Sequence, residues 1–398
     1  MLICLFAYID LLIGLLGYLI IMKIGIDISQ IVYGTGVSRY TEELVKHLLK
    51  IDKKNHYLLF AGVWRQKRKI EKFLKEFKTN GYKFQPKVVF FPPKVADFIW
   101  NRVHIFQIER FTGPLDLFHS SNWAQPPASC PIVTTIHDLT PIKFPQAFEK
   151  EAIVSFKRNL HWAKRQAAFI IVDSKATEKD LIKEGFDKGK IKVVYLGVSK
   201  KFKQIKDKKE IEKIKKKYGI KGDYILSVGT LEPRKNIGRV IKSFSQLATR
   251  NSQLVLVGKQ GWGNQSKSQI SNLKSQITFT GFVPDNDLPA LYSGAKVFVY
   301  PSLYEGFGLP VLESMACGCP VITSNISSLP EIAGNAALLI NPKNTKEIKK
   351  AMEKLLTNEK LRKKLIRKGL TQAKKFSWNK TTHQTLEIYT KLSFPPLR

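Results

Sequence analysis

The sequence predicts an α/β protein with two domains, each built on a parallel β-sheet that helices cover on both faces. Three observations support this fold class. The chain has 398 residues, which is more than one hydrophobic core usually supports. Short apolar runs without polar alternation recur between helical segments, as in buried parallel strands joined by helices. A lysine-rich stretch between Gly197 and Gly222 divides the chain into two such series.

The composition describes a globular protein with a strong positive charge. Hydrophobic residues make up 43% of the chain, and 66 Lys and Arg against 32 Asp and Glu give a formal net charge of +34. Two interpretations of this charge are open. The lysines either form solvated faces or form a surface that binds anionic lipid or phosphorylated ligands. No zinc-finger or RNA-recognition signature accompanies the charge, so we predict no nucleic-acid partner.

Residues 1–21 form an apolar extension. Leu2–Ile21 contains one charged residue, Asp10, and has about the 20 residues that span a bilayer. A signal peptide would begin with positive charge and end with small residues, and neither feature is present. The extension is either a membrane anchor or sequence upstream of a misplaced start. We favour Met22 as the start of the functional protein.

The four cysteines predict neither a disulfide framework nor a zinc site. Cys317 and Cys319 are too close for an ordinary disulfide, and no second Cys or His pair completes a metal site. With Cys4 and Cys130 they indicate packing residues in a reduced compartment.

Residues 22–200 are predicted to form the first domain. Gly34 and Gly36 lie in a turn after its first strand, a weak signal alone because the dinucleotide fingerprint needs a third glycine. We expect helices at Val95–Arg110 and Glu149–Arg165, besides the one that follows the turn. The predicted strands are Ile24–Ile28, Tyr57–Ala61, Val88–Phe91, Leu115–His119, Ile132–Ile136, Ala168–Val172 and Ile191–Tyr195.

Two polar residues, His137 and Asp138, directly follow the strand Ile132–Ile136. In open parallel sheets ligands bind in the crevice at the carboxyl ends of the strands. A histidine at a strand end is either structural or in contact with a ligand, and the residues alone leave both interpretations open. His119 has a similar placement and a less defined role.

A lysine-rich linker at 201–222 leads to the second domain, 223–376. Arg234 and Lys235 lie between the predicted strand Tyr224–Val228 and the predicted helix Ile237–Ala248. A guanidinium and an ammonium there would neutralise a diphosphate, although they could also be two exposed basic residues in a basic chain. Further strands are predicted at Leu254–Gly258, Ile277–Phe279, Ala295–Tyr300 and Ala337–Ile340.

The turn after Tyr300 is the most informative stretch of the chain. Gly306 and Gly308 precede a short helix that has Pro310 near its start and Gly318 at its end. Such a turn presents backbone N–H groups at the positive end of a helix dipole, where an anion or a cluster of hydroxyls binds well.

Two carboxylates frame this turn, Glu305 within it and Glu313 in the helix. Because carboxylates only accept hydrogen bonds, the pair could hold a polyhydroxylated ligand while the amides hold its phosphates. The alternative is that Glu305 is a solvated loop residue and that Glu313 only favours the helix dipole.

The E-x7-E pattern from Glu305 to Glu313 resembles the donor site of family 4 retaining glycosyltransferases. The resemblance covers nearly all of residues 22–395 and implies the GT-B fold, with two Rossmann-like domains facing across a cleft. It implies that Glu305 contacts sugar hydroxyls and that Glu313 holds the ribose. The residues that it places around the donor phosphates and sugar are Ser302, Gly306, Phe307, Gly308 and Leu309.

Other motifs acquire roles through the same resemblance. His137 would touch the sugar or a phosphate, and the turn with Gly34 and Gly36 would approach the donor phosphates or the acceptor. Arg234 and Lys235, in E-P-R-K-N, resemble the diphosphate-binding loop. Thr230 stands where many members of the family carry Arg, which puts the pairing of each cation with a phosphate in doubt. The backbone at Phe282 and Val283 would receive the base, and the last helix, within 377–398, would cross back to the first domain.

The implied function is transfer of a hexose from a nucleotide-diphosphate sugar to an acceptor hydroxyl, without metal or other cofactor. The motifs are most similar to those of polysaccharide-assembly mannosyltransferases. We therefore expect GDP-mannose as donor, a glycan or lipid-linked acceptor, and a cytoplasmic enzyme peripheral on the inner face of the cell membrane, drawn to anionic lipid. The alternatives are a sugar-nucleotide epimerase of the same fold and a non-catalytic basic module that binds membrane or nucleic acid.

Overall fold

Two parallel sheets organise the chain. The structure, a computed structural model, describes residues 20–121, 123–247, 252–259 and 276–393. In the first domain seven described strands pair in the order β3-β2-β1-β4-β5-β6-β7, all parallel. They are β1 Lys23–Asp27, β2 His56–Val63, β3 Gln85–Phe90, β4 Leu117–Ser120, β5 Ile132–Ile136, β6 Ala167–Val172 and β7 Ile191–Val193.

The second domain repeats this plan with six described strands in the order β10-β9-β8-β11-β12-β13. The central strands are apolar throughout because helices cover both faces of the sheet, and every residue of Val297–Tyr300 is buried. The predicted α/β class with two Rossmann-like domains is therefore confirmed. The strands are β8 Asp223–Val228, β9 Ser252–Val257, β10 Ile277–Gly281, β11 Val297–Tyr300, β12 Val321–Ser324 and β13 Ala337–Ile340.

Helices connect the strands as the parallel topology requires. The helix Gly36–Ile51 shows the underlying pattern, since Tyr40, Leu44 and Leu48 are buried on one face. The longer helices of the first domain are Gly36–Ile51, Lys67–Thr79, Lys150–Gln166 and Lys175–Lys183. Those that follow are Lys208–Lys217, Ile237–Ser245, Leu288–Gly294, Leu309–Ala316, Leu329–Ala333, Thr345–Thr357, Glu359–Ala373 and Trp378–Leu392.

The prediction of a single helix over Val95–Arg110 is wrong. His104 and Phe106 both have φ of 60°, a left-handed conformation that interrupts a right-handed helix. The indole N–H of Trp100 donates to the carbonyl of Phe106 at 3.0 Å and holds the chain in this break. Three short segments replace the predicted helix: Pro93–Ala96, the π-helix Asp97–Val103 and Glu109–Thr112.

The last helix, Trp378–Leu392, returns to the first domain as predicted. It packs against the helix Gly36–Ile51, and the hydroxyl of Thr381 donates to the carbonyl of Tyr195 at 2.7 Å. Gly197 makes this crossing possible, because a Cβ there would lie 2.1 Å from the backbone nitrogen of Trp378. One hydrophobic cluster consequently contains residues of both domains.

The segment predicted as a linker, 201–222, contains the helix Lys208–Lys217, which packs against Leu288–Gly294 of the second domain. The predicted domain boundaries remain predictions. None of the helices in the described residues combines the length and apolar character of a membrane span. Most of the apolar extension, residues 1–19, lies outside the described residues.

Candidate active site

The carboxyl ends of strands from both sheets meet in one region between the domains. From the first domain come the turn after β1, with Gly34, and the loop after β5, with His137. The second domain contributes the segments after β8 and β11, which carry Arg234 and Glu305. Because all these strands are parallel within their sheets, residues far apart in sequence converge here.

Glu305 lies at the centre of a buried cluster of charges. Its side chain is 9% exposed, with one oxygen 2.8 Å from the Arg234 guanidinium and the other 2.6 Å from the Lys235 ammonium. The Tyr300 hydroxyl donates to the same oxygen that meets Lys235, at 2.8 Å. The guanidinium of Arg234 also pairs with Glu232 at 2.6 Å. Glu305 is thus not a solvated loop residue, and the two cations are largely buried.

The cluster shifts the protonation equilibria of its members. Burial by itself raises the pKa of Glu305, but the charges of Arg234 and Lys235 outweigh it and lower that pKa to about 2. For Lys235, burial lowers the pKa, and the adjacent Arg234 opposes the restoring effect of Glu305. Glu305 is therefore ionised at neutral pH, and a phosphate beside Lys235 would favour the charged form of its ammonium and so oppose the lowering of its pKa.

The Ser328 hydroxyl stabilises the turn after Glu305 by donating to its backbone carbonyls. The Ser328 hydroxyl lies 3.0 Å from the carbonyl oxygen of Glu305 and 2.7 Å from that of Phe307. Gly308 has φ of 111°, which favours glycine, and it precedes the helix Leu309–Ala316. The predicted strand, glycine turn and short helix are present.

Gly306 packs closely against the loop after β5 of the first domain. A Cβ at Gly306 would lie 2.2 Å from the carbonyl oxygen of His137 and 2.8 Å from the Cβ of Asp138. The Thr177 hydroxyl lies 3.2 Å from the same carbonyl of His137. Only a residue without a side chain fits between the turn and the loop.

His137 is buried and oriented by neighbours from its own domain. Its Nδ1 lies 2.7 Å from a carboxylate oxygen of Asp173, and its ring makes an edge-on contact with Tyr40 at 4.6 Å between centroids. Burial lowers the pKa of His137, but the Asp173 carboxylate outweighs it and the net pKa is raised. A carboxylate at Nδ1 fixes the ring orientation and leaves Nε2 as the nitrogen that can meet a ligand.

Glu313 is held from across the domain boundary by Arg39. The Arg39 guanidinium, from the helix Gly36–Ile51, pairs with Glu313 and also with Asp285, the latter at 2.8 Å. The Tyr292 hydroxyl donates to Glu313 at 3.1 Å. Burial raises the pKa of Glu313, and Arg39 only partly offsets this. Glu313 therefore does more than favour a helix dipole, because it joins the two domains.

The other predicted donor-site residues lie at the edges of this region. Gly34 has φ of 64°, and a Cβ at Gly34 or Gly36 would meet no atom within 4 Å, so this turn presents an open face. Ser302 is fully buried, and its carbonyl accepts from Ser324 at 2.6 Å. Phe282 is 61% exposed, with the Lys259 ammonium 5.1 Å from its ring centroid, whereas Val283 is buried.

Three residues of this region, Arg39, Tyr300 and Asp173, are not among those that the sequence singles out. Arg39 lies three residues after Gly36, so its position in the turn motif was a visible signal. Tyr300 ends the strand Val297–Tyr300, where the pattern of apolar residues does not reveal a role for its hydroxyl. Asp173 follows β6 directly, as His137 follows β5, and this equivalence of strand ends was the available signal.

Metal-binding side chains do not gather in the part of the chain that the structure describes. No group of three or more His, Cys, Asp or Glu residues there is arranged to hold a metal ion. Cys317 and Cys319, which belong to the described residues, are buried free thiols.

This architecture is that of a glycosyltransferase with the GT-B fold. Residues 34–202 match the family described as Glycosyltransferase Family 4. Residues 208–372 match the family described as Glycosyl transferases group 1. The chain belongs to the family 4 retaining glycosyltransferases.

Curated relatives share this family and carry names from O-antigen assembly. The chain is 34% identical over 284 residues to O-antigen chain mannosyltransferase B of Escherichia coli, covering 69% of this chain and 74% of that protein. It is 32% identical over 225 residues to O-antigen chain mannosyltransferase RfbU of Salmonella typhimurium, covering 56% and 60%. With the serotype-specific mannosyltransferase WbdA of Escherichia coli it shares 42% identity over 192 residues, 46% of this chain and 23% of that protein. These relatives favour neither an epimerase nor a non-catalytic module.

Solved structures support the fold. Anabaena Alr3699/HepE in complex with UDP and glucose superposes with a TM-score of 0.72 at 18% identity, covering 93% of this chain and 100% of that one. WaaG, a glycosyltransferase involved in lipopolysaccharide biosynthesis, superposes with a TM-score of 0.67 at 16% identity, covering 92% and 99%. At these identities the similarity concerns the fold alone.

Proposed function

We propose that the protein transfers mannose from GDP-mannose to a hydroxyl group of a growing polysaccharide or glycolipid, with retention of anomeric configuration. The cluster of Glu305, Arg234 and Lys235 opposite His137 carries this proposal. Two cations beside one ionised carboxylate suit a diphosphate joined to a sugar. The names of the Escherichia coli and Salmonella relatives support mannose as the sugar.

The proposed roles follow from charge development as the glycosidic bond breaks. Negative charge grows on the leaving diphosphate, and Arg234 and Lys235 stabilise it without requiring a metal ion. Positive charge grows on the sugar, where the Glu305 carboxylate stabilises it. His137 positions the sugar through Nε2, because Asp173 holds Nδ1 at 2.7 Å. The turn with Gly34 and Gly36, the residues Ser302 and Gly306 to Leu309, and the backbone at Phe282 and Val283 complete the proposed donor site.

A panel of nucleotides tests the donor assignment. We expect GDP to stabilise the protein against heat more than UDP or ADP, because the stabilisation grows as RT ln(1 + [L]/Kd). GDP-mannose should be consumed in the presence of a glycan acceptor. Equal stabilisation by all three diphosphates would remove the preference for guanine, and no stabilisation by any of them would contradict the donor site.

Variants of Arg234 and Lys235 test whether these two cations bind the diphosphate. Arg234→Ala and Lys235→Ala should each weaken GDP binding by about 1.5–3 kcal/mol, because each removes a charge-assisted hydrogen bond to phosphate. GMP, which lacks the β-phosphate, should lose less affinity. Calorimetry with both nucleotides measures the difference, and equal losses would mean that the two cations only support the fold.

Glu313 should contribute equally to the affinity for the donor and to the affinity for GDP alone. If it accepts from ribose hydroxyls, Glu313→Gln weakens GDP by about 1–3 kcal/mol and raises the donor KM while kcat is kept. Asp285→Asn is the matched control, because Asp285 also pairs with Arg39, at 2.8 Å. Equal losses of GDP affinity in both variants would show that the effect acts through Arg39 and not through the ribose.

The proposed acceptor is carried by a lipid, with the enzyme peripheral on the inner, cytoplasmic face of the cell membrane. The net charge of +34 favours anionic membrane surfaces. The O-antigen names of the relatives support an acceptor in cell-surface polysaccharide assembly.

A further inference from the structure

Exposed apolar side chains concentrate in one part of the first domain. Within the 17 residues from 90 to 106, six large apolar side chains are between 39% and 70% exposed. Trp64 adjoins them, because its neighbour Val63 pairs with Phe90 across the two strands. We call this surface the apolar patch. Its members are Trp64, Phe90, Val95, Phe98, Val103, Ile105 and Phe106.

The patch is exposed although its backbone is firmly held. The ring of His104 stacks on Trp162 at 3.5 Å between centroids, and its Nδ1 lies 2.7 Å from the carbonyl of Trp100. The Trp100 indole in turn holds the carbonyl of Phe106, and the backbone N–H of Ile105 donates to Ile99 at 3.0 Å. A buried scaffold thus keeps a sparsely populated backbone conformation at positions 104 and 106. Such conformations persist where the surrounding structure fixes them, often at functional surfaces.

Arginine side chains border the patch. The guanidinium of Arg65 lies 4.6 Å from the Trp64 ring centroid, that of Arg102 lies 5.6 Å from Phe98, and that of Arg110 lies 5.1 Å from Phe106. Each cation is therefore at the same surface as an exposed ring.

The acidic side chains between residues 90 and 110 are Asp97 and Glu109. Asp97 accepts from Asn101 at 3.0 Å and also pairs with Ser155. Glu109 accepts the backbone N–H groups of Ser129 at 2.8 Å and Cys130 at 3.1 Å. Both carboxylates are partly buried and engaged by these donors, whereas the three arginines lie against exposed rings.

The patch lies at the same end of the sheet as the candidate active site. Phe90 is the last residue of β3, and the chain that follows this carboxyl end forms most of the patch. His137 and the turn with Gly34 follow the carboxyl ends of β5 and β1 in the same parallel sheet. The patch therefore lies at the end of the first domain that faces the cleft, at the edge strand β3, which is two strands away from β1.

We propose that the apolar patch docks on an anionic lipid bilayer and sets the cleft at the membrane surface. Exposed aromatic rings enter the headgroup region while adjacent arginines bind lipid phosphates. A second copy of the chain fits less well, because two patches would bring their arginines together. The functional value of docking rests on the proposed lipid-linked acceptor. Docking itself does not, because it requires no sugar transfer.

Hydrogen–deuterium exchange of the full chain, with and without vesicles, locates the docking surface. With vesicles that contain anionic phosphatidylglycerol, we expect slower exchange in residues 90–106, and little change with neutral phosphatidylcholine vesicles. A protein that binds vesicles without protection of 90–106 overturns the proposal. Protection already complete without vesicles would overturn it too, because another part of the chain or a second copy would then cover the patch.

Paired substitutions provide the second measurement. Phe98→Ser combined with Phe106→Ser should weaken binding to anionic vesicles at least about tenfold, because two rings no longer enter the lipid. Ile182→Ser combined with Leu339→Ser is the control, since these side chains are 38% and 39% exposed outside the patch. GDP binding should remain unchanged in both pairs, which separates failure of docking from failure of the donor site. Equal vesicle affinity of the two pairs overturns the proposal.

Discussion

Glu305→Gln should lower kcat about 100-fold while GDP binds at least as tightly as before. The carboxylate stabilises positive charge that exists on the sugar only as the glycosidic bond breaks, so its loss affects the transition state most. In the free protein Glu305 also occupies Arg234 and Lys235, at 2.8 and 2.6 Å. A neutral glutamine side chain attracts the two cations less strongly than the carboxylate does. Arg234 and Lys235 can then bind the diphosphate without first leaving an ion pair. Donor kinetics and GDP calorimetry measure the two effects separately.

Glu232→Gln is the matched control for this variant. Glu232 also pairs with Arg234, at 2.6 Å, but through the other terminal nitrogen of the guanidinium, Nη2, whereas Glu305 meets Nη1. We expect Glu232→Gln to keep kcat within about threefold, because it releases Arg234 without removing charge from the sugar. If Glu305→Gln retains wild-type kcat, or if its GDP affinity falls more than about tenfold, the assignment of Glu305 is wrong.

Glu305→Gln should also change how the stability of the protein depends on pH. The pKa of Glu305 is lowered from 4.5 to about 2 in the folded protein. A lowered carboxylate pKa contributes stability that is present above pH 4.5 and is lost as pH falls towards 2. Chemical unfolding of Glu305→Gln should therefore depend less on pH within that window than unfolding of the wild type.

Gly306→Ala should lower kcat by about 100-fold through separation of the two domains. The new Cβ would lie 2.2 Å from the carbonyl oxygen of His137, so the turn and the loop must move apart. A displacement of about 1 Å between groups that act on one substrate costs on the order of 100-fold in rate. Donor turnover of the variant and of the wild type measures the change in rate.

Gly62→Ala is the control for Gly306→Ala. A Cβ at Gly62 would meet its nearest atom, the Cβ of Phe91, at 3.4 Å, which is ordinary contact. This variant should keep its activity and its unfolding temperature. Wild-type turnover by Gly306→Ala would mean that the approach of His137 to the turn is not needed for the reaction.

Local patterns in the sequence were sufficient for the fold class and for the central turn. Strand periodicity, glycine and proline positions and the E-x7-E spacing depend on residues within about one turn or strand of each other. The turn with Gly308 and the helix Leu309–Ala316 follow such signals. The return of the last helix follows from the resemblance to the family, because no local pattern shows where a helix packs. The prediction of a helix over Val95–Arg110 is wrong because contacts of Trp100 with Phe106 and of Trp162 with His104 stabilise the break, and a local pattern does not show these contacts.

The sequence by itself determined two parallel α/β domains, a family and the residues of a donor site, whose roles stay predictions. Only the tertiary structure decided which of those residues touch. Arg39 meets Glu313 although 274 positions separate them, and Gly306 meets the loop of His137. Glu305 is paired with the same two cations that were assigned to the diphosphate. Such contacts depend on how one sheet faces the other, and the packing of domains is set by many distant residues together.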